Sequence, residues 1–236
     1  VAVVACIHHL EQPSTGLAAA ALCGAGLELD ERDLRRGDPL PDLDSLDGLI
    51  SFGGEQSVRE IDRYPYLEEE VDLMREAIGR ELPLLGICLG GQLLAHAAGG
   101  AIERLPRRVI GWPEVSRLPA AAGDALFGAL PASVAALHWN EDCFTVPGGA
   151  EEMLSRSGPG GEAIRVGPAA WGVQFHPEAD QPILDGWYAG GERRLRDAGV
   201  SEQEARRADA RWLPWQRRLA AGLFGAFARL ASDAGR

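Results

Sequence analysis

The chain has 236 residues, with 23 arginines, 35 acidic side chains and no lysine, for a formal charge of −12. Lacking lysine, it has no Walker A lysine for a nucleotide phosphate, no Schiff-base lysine, and no Cys-Glu-Lys or Ser-Lys amidase machinery. The acidic balance excludes the basic face that nucleic-acid phosphates demand, and no apolar run approaches the roughly 18 residues of a membrane span.

In chain order, Val1–Ile7 is an apolar run suited to a buried parallel strand; it is short and lacks a basic leader, so it does not read as a signal peptide. A polar loop holding His8 and His9 follows, then an alanine-rich helix over Leu17–Cys23 and a short strand at Leu27–Leu29. Residues 35–48, rich in aspartate and proline, read as a loop or weak helix. Gly48–Phe52 is a strand running into Gly53-Gly54. Apolar Leu67, Val71, Met74 and Ile78 at helical spacing predict a helix over Tyr66–Ile78. Pro83–Ile87 is a strand, and Leu89–Ala98 a helix after Cys88. Residues 101–175 are β-rich, with strands expected at Ala101–Leu105, Val109–Leu118, Ser133–Trp139, Cys143–Val146, Glu162–Val166 and Ala170–Phe175. From Pro182 onward the pattern is helical. Strands alternating with helices imply an α/β fold, an open parallel sheet with helices on both faces. The first 178 residues hold 13 arginines against 27 acids, while the remainder hold 10 against 8. The tail is a distinct helical segment expected to pack on an acidic body.

Leu84-Leu85-Gly86-Ile87-Cys88-Leu89-Gly90-Gly91-Gln92 has the form of a nucleophile elbow with cysteine as its nucleophile. The sharp turn needs small neighbours and sets the thiol at a helix N-terminus, where free N–H groups and the dipole favour a thiolate. The N–H of Leu89 then points at an oxyanion formed by attack of the sulfur. In Val173-Gln174-Phe175-His176-Pro177-Glu178 a strand ends at a histidine with a carboxylate two residues on, a base and its orienter. Phe52-Gly53-Gly54-Glu55 offers the N–H of Gly54 as a second oxyanion donor. The two catalytic segments fall at the carboxyl ends of strands, where open α/β sheets build sites. Cys6, Cys23 and Cys143 lack acid–base partners and read as structural. With no CxxC pair and no metal-ligand spacing, the cysteines point to a reduced, cytoplasmic protein without disulfides or a metal site. His8 and His9 read as exposed loop residues, with a pocket-lining place after the first strand as the alternative; His96 reads as packed on the sheet, and Trp187, Tyr188, Trp212, Trp215, Phe224 and Phe227 as packing anchors.

Together these segments resemble the class I glutamine amidotransferases, most of all the GMP-synthase-like glutaminase domains. Gly86, Cys88, Gly90 and Gln92 meet the pattern G-x-C-x-G-x-Q, and His176 to Glu178 meet H-P-E. The resemblance covers about residues 1–180 and implies a flavodoxin-like, mostly parallel sheet, with residues 181–236 as a helical extension. It implies Cys88, His176 and Glu178 as a catalytic triad, Gly54 and Leu89 as oxyanion donors, and Gln92, Trp139, Asn140 and Asp142 as substrate contacts. Asn140, Glu141 and Glu55 depart from the residues common in the family. The implied reaction is hydrolysis of a γ-glutamyl amide, with no cofactor. The acceptor of the ammonia is expected in a separate synthetase subunit. One alternative is a free-standing hydrolase or peptidase of γ-glutamyl amines or peptides; another is a non-catalytic regulatory or binding subunit.

Overall fold

A computed structural model describes residues 1–235. The chain runs β1 (Val3–His9), α1 (Leu17–Gly24), β2 (Glu28–Asp33), β3 (Gly48–Gly54), α2 (Pro65–Gly79), β4 (Leu84–Ile87) and α3 (Leu89–Ala97). There follow β5 (Ile102–Gly111), β6 (Glu114–Arg117), β7 (Ser133–Ala135), β8 (His138–Phe144), β9 (Glu151–Ser155), β10 (Ala163–Val166) and β11 (Ala170–Val173). Three helices end the chain: α4 (Gln181–Ala189), α5 (Glu192–Ala198) and α6 (Glu202–Ala234). Nine strands form one sheet in the order β2-β1-β3-β4-β11-β10-β9-β6-β7, and β5 pairs with β8 in a separate ribbon. The first five of that order are mutually parallel; from β11 outward every pairing is antiparallel.

The inner parallel strands β3, β4 and β11 are buried almost throughout because both of their faces are covered, whereas the edge strand β2, Glu-Leu-Asp-Glu-Arg-Asp, is polar. Along β1 the side chains alternate: Val4 and Cys6 join the core under α1 and α6, while Ala5 and Ile7 join the one under α2 and α3. Leu67, Val71 and Met74 form the stripe by which α2 meets the second core. Helix α6 starts in a capping box, Ser201 with Glu204, and sends Leu219, Leu223, Phe224 and Phe227 into the first core beside Val4 and Ile50. Gly48 permits this approach, since a side chain there would meet the Phe227 ring at 3.3 Å.

The β-rich middle divides differently from the predicted pattern. The expected Ala101–Leu105 strand and the start of Val109–Leu118 form the single strand β5, which ends at Gly111 with φ +120°; β6 begins only after Pro113. Ser133–Trp139 is two elements, and Cys143 belongs to the end of β8 rather than to a strand of its own. The strand β9 went unpredicted: only Met153 and Leu154 in it are buried, and pairing to β10 and β6 holds it extended. Cys23 is exposed on α1, not structural, whereas Cys6 and Cys143 are buried. No helix among the described residues is long and apolar enough to cross a membrane.

Candidate active site

Three neighbouring parallel strands deliver the candidate residues to one edge. Ser51 of β3 is level with Gly86 of β4, and Ile87 of β4 with Val173 of β11. The segments that follow, Phe52–Gly54, Cys88 and Gln174–Glu178, therefore emerge side by side at the carboxyl ends of the strands.

Cys88 sits between β4 and α3 with φ +54° and ψ −104°, a region that L side chains avoid at about 1–3 kcal/mol. Its N–H donates to Val173 O at 2.8 Å, and α3 starts at the next residue. Crowding explains the glycines around it. A Cβ on Gly86 would stand 2.3 Å from Gly90 O, and one on Gly90 would stand 2.2 Å from Ser51 O. Gly53 is equally constrained, because a Cβ there would lie 2.8 Å from His176 Cε1 and 3.5 Å from Cys88 Cβ. Gly54 and Leu89 are neighbours across the same space: a Cβ on Gly54 would meet Leu89 Cδ2 at 2.6 Å.

His176 Nδ1 and Glu178 Oε1 are 2.7 Å apart, which fixes the imidazole and leaves Nε2 beside the Cys88 sulfur without a partner elsewhere in the fold. Burial lowers the proton affinity of this imidazole, but the Cys88 sulfur and the Glu178 carboxylate outweigh it and push the pKa up to about 10. The backbone around His176 is tied down. His176 N–H donates to Leu137 O at 2.8 Å, and the buried Gln216 of α6 donates to His176 O at 2.6 Å. Gln174 Nε2 points at the Cys88 sulfur from 3.7 Å.

Beneath the Gly53-Gly54 turn lies a second buried pair. His9 places one ring nitrogen 2.7 Å from Glu70 and the other 3.1 Å from Phe52 O, and Ser51 donates to the same carboxylate. Burial lowers the His9 pKa, yet Glu70 raises it further, and the net shift is upward. The expectation of exposed loop histidines is thus corrected. Both His8 and His9 lie on β1 and are buried; His8 stacks on Phe52, pairs with Glu31 and lines the cavity. Runs of polar residues usually mark loops, but here the strand continues because β2 and β3 pair with it through His8 and His9.

A cavity of about 580 Å³ opens over Cys88. Trp139, Asn140 and Asp142 all line it. Asn140 Nδ2 donates to Asp142 O, leaving Asn140 Oδ1 buried and unsatisfied. Ser57 donates to Asp142 Oδ2, while Asp142 Oδ1 makes no hydrogen bond, with the Arg104 guanidinium 3.4 Å off. Gln92 lines the cavity too, but its amide nitrogen is committed to Asp142 O and Gln174 Oε1. Glu141 pairs with Arg104 and Arg108, and Glu55 with Arg194.

Several of these residues carried no signal in the sequence. Trp187, expected only to anchor packing, meets the His176 ring edge-to-face with centroids 4.8 Å apart. Arg194 and Gln216 come from the helical tail, more than a dozen residues beyond the triad, and only the tertiary fold brings them to it. His96 is half-buried near the end of α3. Among the described residues no group of histidine, cysteine and carboxylate side chains has the arrangement to hold a metal ion.

Comparison with known proteins agrees with this geometry. The family model described as "Glutamine amidotransferase class-I" matches residues 26–184. The glutamine amidotransferase-like protein YfeJ of Salmonella typhimurium is 27% identical over 161 residues, 67% of each chain. A glutamine-hydrolysing GMP synthase of Porphyromonas gingivalis is 34% identical over 140 residues, and that match spans 58% of this chain but only 26% of the synthase. The crystal structure of a glutamine amidotransferase from Thermotoga maritima superposes with a TM-score of 0.87 at 24% identity, over 96% of this chain and 98% of that one. One from Methylobacillus flagellatus gives 0.85 at 25% identity, over 97% and 94%. The fold is the flavodoxin-like α/β fold of these neighbours, and the chain belongs to the class I glutamine amidotransferase family.

Proposed function

We propose that this chain hydrolyses a γ-glutamyl amide, glutamine in the simplest case, through a γ-glutamyl thioester on Cys88. Cys88 gives its proton to His176 and its sulfur attacks the amide carbonyl carbon. The N–H groups of Gly54 and Leu89 receive the oxyanion. As the intermediate collapses, the C–N bond breaks and the amine leaves with the proton from His176 Nε2. His176 then takes a proton from water, whose oxygen attacks the thioester; the C–S bond breaks, glutamate leaves and the sulfur is reprotonated. Glu178 holds the imidazole in orientation and balances its charge throughout.

The observation that carries this reading is the unpartnered Nε2 of a buried imidazole beside a cysteine sulfur, with its other nitrogen held by a carboxylate. The unpartnered Asn140 Oδ1 and the neighbouring Asp142 carboxylate fit the α-ammonium group of the substrate. The four free cysteines fit a reducing compartment such as the cytoplasm. Where ammonia is the product, a separate synthetase would use it, as the matched GMP synthases are named for a larger reaction.

The test is glutamate release from glutamine by the full chain. Cys88→Ala is expected to lower kcat by roughly 10³-fold or more. Undiminished release by that variant overturns the reading.

A further inference from the structure

The cavity is roomy, and its lining carries both polar and apolar groups. Its volume of about 580 Å³ lies in the range of about 300–1,000 Å³ typical of sites for drug-sized ligands. Asn140 Oδ1, buried without a hydrogen bond, and the neighbouring Asp142 carboxylate suit an amino-acid head group. Beside His176 the lining carries an apolar cluster of Trp187 and Ile183 of α4 with Trp139, whose ring lies 5.4 Å from that of Trp187, next to a mixed segment, Leu10 to Ser14, after β1.

The position of the base decides which part of the substrate meets that cluster. His176 protonates the departing nitrogen, so the nitrogen lies at Nε2, and Trp187 packs against the same imidazole. Any substituent on the nitrogen therefore extends along Trp187 and Ile183. Arg108 and Arg194, the arginines that line the cavity, are already paired with Glu141 and Glu55. With Glu11, Glu55, Glu141 and Asp142 lining the cavity beside these two arginines, a carboxylate on the leaving group meets no surplus of positive charge.

We infer that the preferred substrate is a substituted γ-glutamyl amide whose leaving group is a neutral amine bearing an aromatic or bulky apolar group. The inference rests on the thioester reading above and specifies the leaving group. Trp187 and Ile183 are then the residues that set specificity. An apolar group desolvated against an indole gains binding that ammonia cannot, and discrimination of about 10- to 200-fold is within reach of such a pocket.

The experiment compares kcat/KM for γ-glutamylbenzylamide, γ-glutamylphenylalanine and glutamine, read as glutamate released by the full chain. The benzylamide is expected to exceed each of the others by about tenfold or more. In Trp187→Ala and in Ile183→Ser the benzylamide-to-glutamine ratio is expected to fall severalfold. Using the ratio separates loss of the apolar wall from any general disturbance of His176. Equal use of glutamine and benzylamide overturns the inference, as does a preference for γ-glutamylphenylalanine or an unchanged ratio in both variants. Failure of all three compounds to release glutamate overturns instead the thioester reading on which the inference stands.

Discussion

Four of the five histidines are paired with a glutamate: His8 with Glu31, His9 with Glu70, His138 with Glu162 and His176 with Glu178. Pairing therefore does not single out the base. His9 and His138 use both ring nitrogens within the fold, the second on Phe52 O and Ala136 O respectively. In His176 the second nitrogen has no such partner and faces a sulfur. The elevated pKa has a consequence for stability. The imidazolium persists in the fold to about 10, whereas in the unfolded chain the proton is lost around the ordinary value of 6.5. The Cys88 part of this shift moves a proton from sulfur to imidazole within the pair, but the Glu178 part makes the folded state bind more protons, so that part of the stabilisation is complete below the lower value and is lost as pH rises through the upper one. Glu178→Gln removes the carboxylate's share, so its loss of stability is expected at lower pH than in wild type. Urea denaturation from pH 6 to 10 checks this; coincident pH profiles for the two chains would contradict it.

Among the elements, the elbow shapes the turn at Cys88 and the tail holds the backbone of His176. The elbow is a matter of local crowding: with Gly86 and Gly90 pressed on backbone oxygens, the chain has room for the turn at Cys88 only because those positions lack side chains. That requirement is local, so it was legible in the sequence, as was the strand-to-helix switch around it. The contribution of α6 was not legible. Gln216 sits on a helix that reads simply as amphipathic, yet it donates to His176 O and, at 3.3 Å, to Ala179 O. Gln216→Leu is expected to leave these buried carbonyls unpaired, costing about 1–3 kcal/mol. It should also lower kcat severalfold while KM changes little, since the substrate does not touch Gln216. Steady-state kinetics beside thermal unfolding tests this; a loss of stability with kcat intact would make the residue structural only.

For the whole molecule, α6 is part of the core on which the catalytic strands rest. Phe224 and Phe227 are fully buried against residues of β1 and β3. Phe227→Ala is therefore expected to cost about 3–5 kcal/mol, measured by chemical denaturation. A cost under 1 kcal/mol would show that the helix is an appendage and not a support. The exposed ion pair between Arg194 and Glu55, which joins α5 to the turn after β3, is a weak tie at this scale, worth at most about 1 kcal/mol.

The sequence by itself determined the alternating parallel half of the sheet, the elbow, and the histidine and glutamate that follow β11. Each of these depends on local sequence: apolar runs of strand length, small residues at a sharp turn, and a carboxylate two positions from an imidazole. Tertiary structure alone decided that His8 and His9 are buried on a strand, that Met153 and Leu154 belong to a strand, and that Trp187 and Gln216 meet the base. Those outcomes depend on pairing and packing between segments far apart in the chain. Local periodicity carries no record of such partners, because a side chain's neighbours across a sheet or under a helix are set by register and by the docking of whole elements.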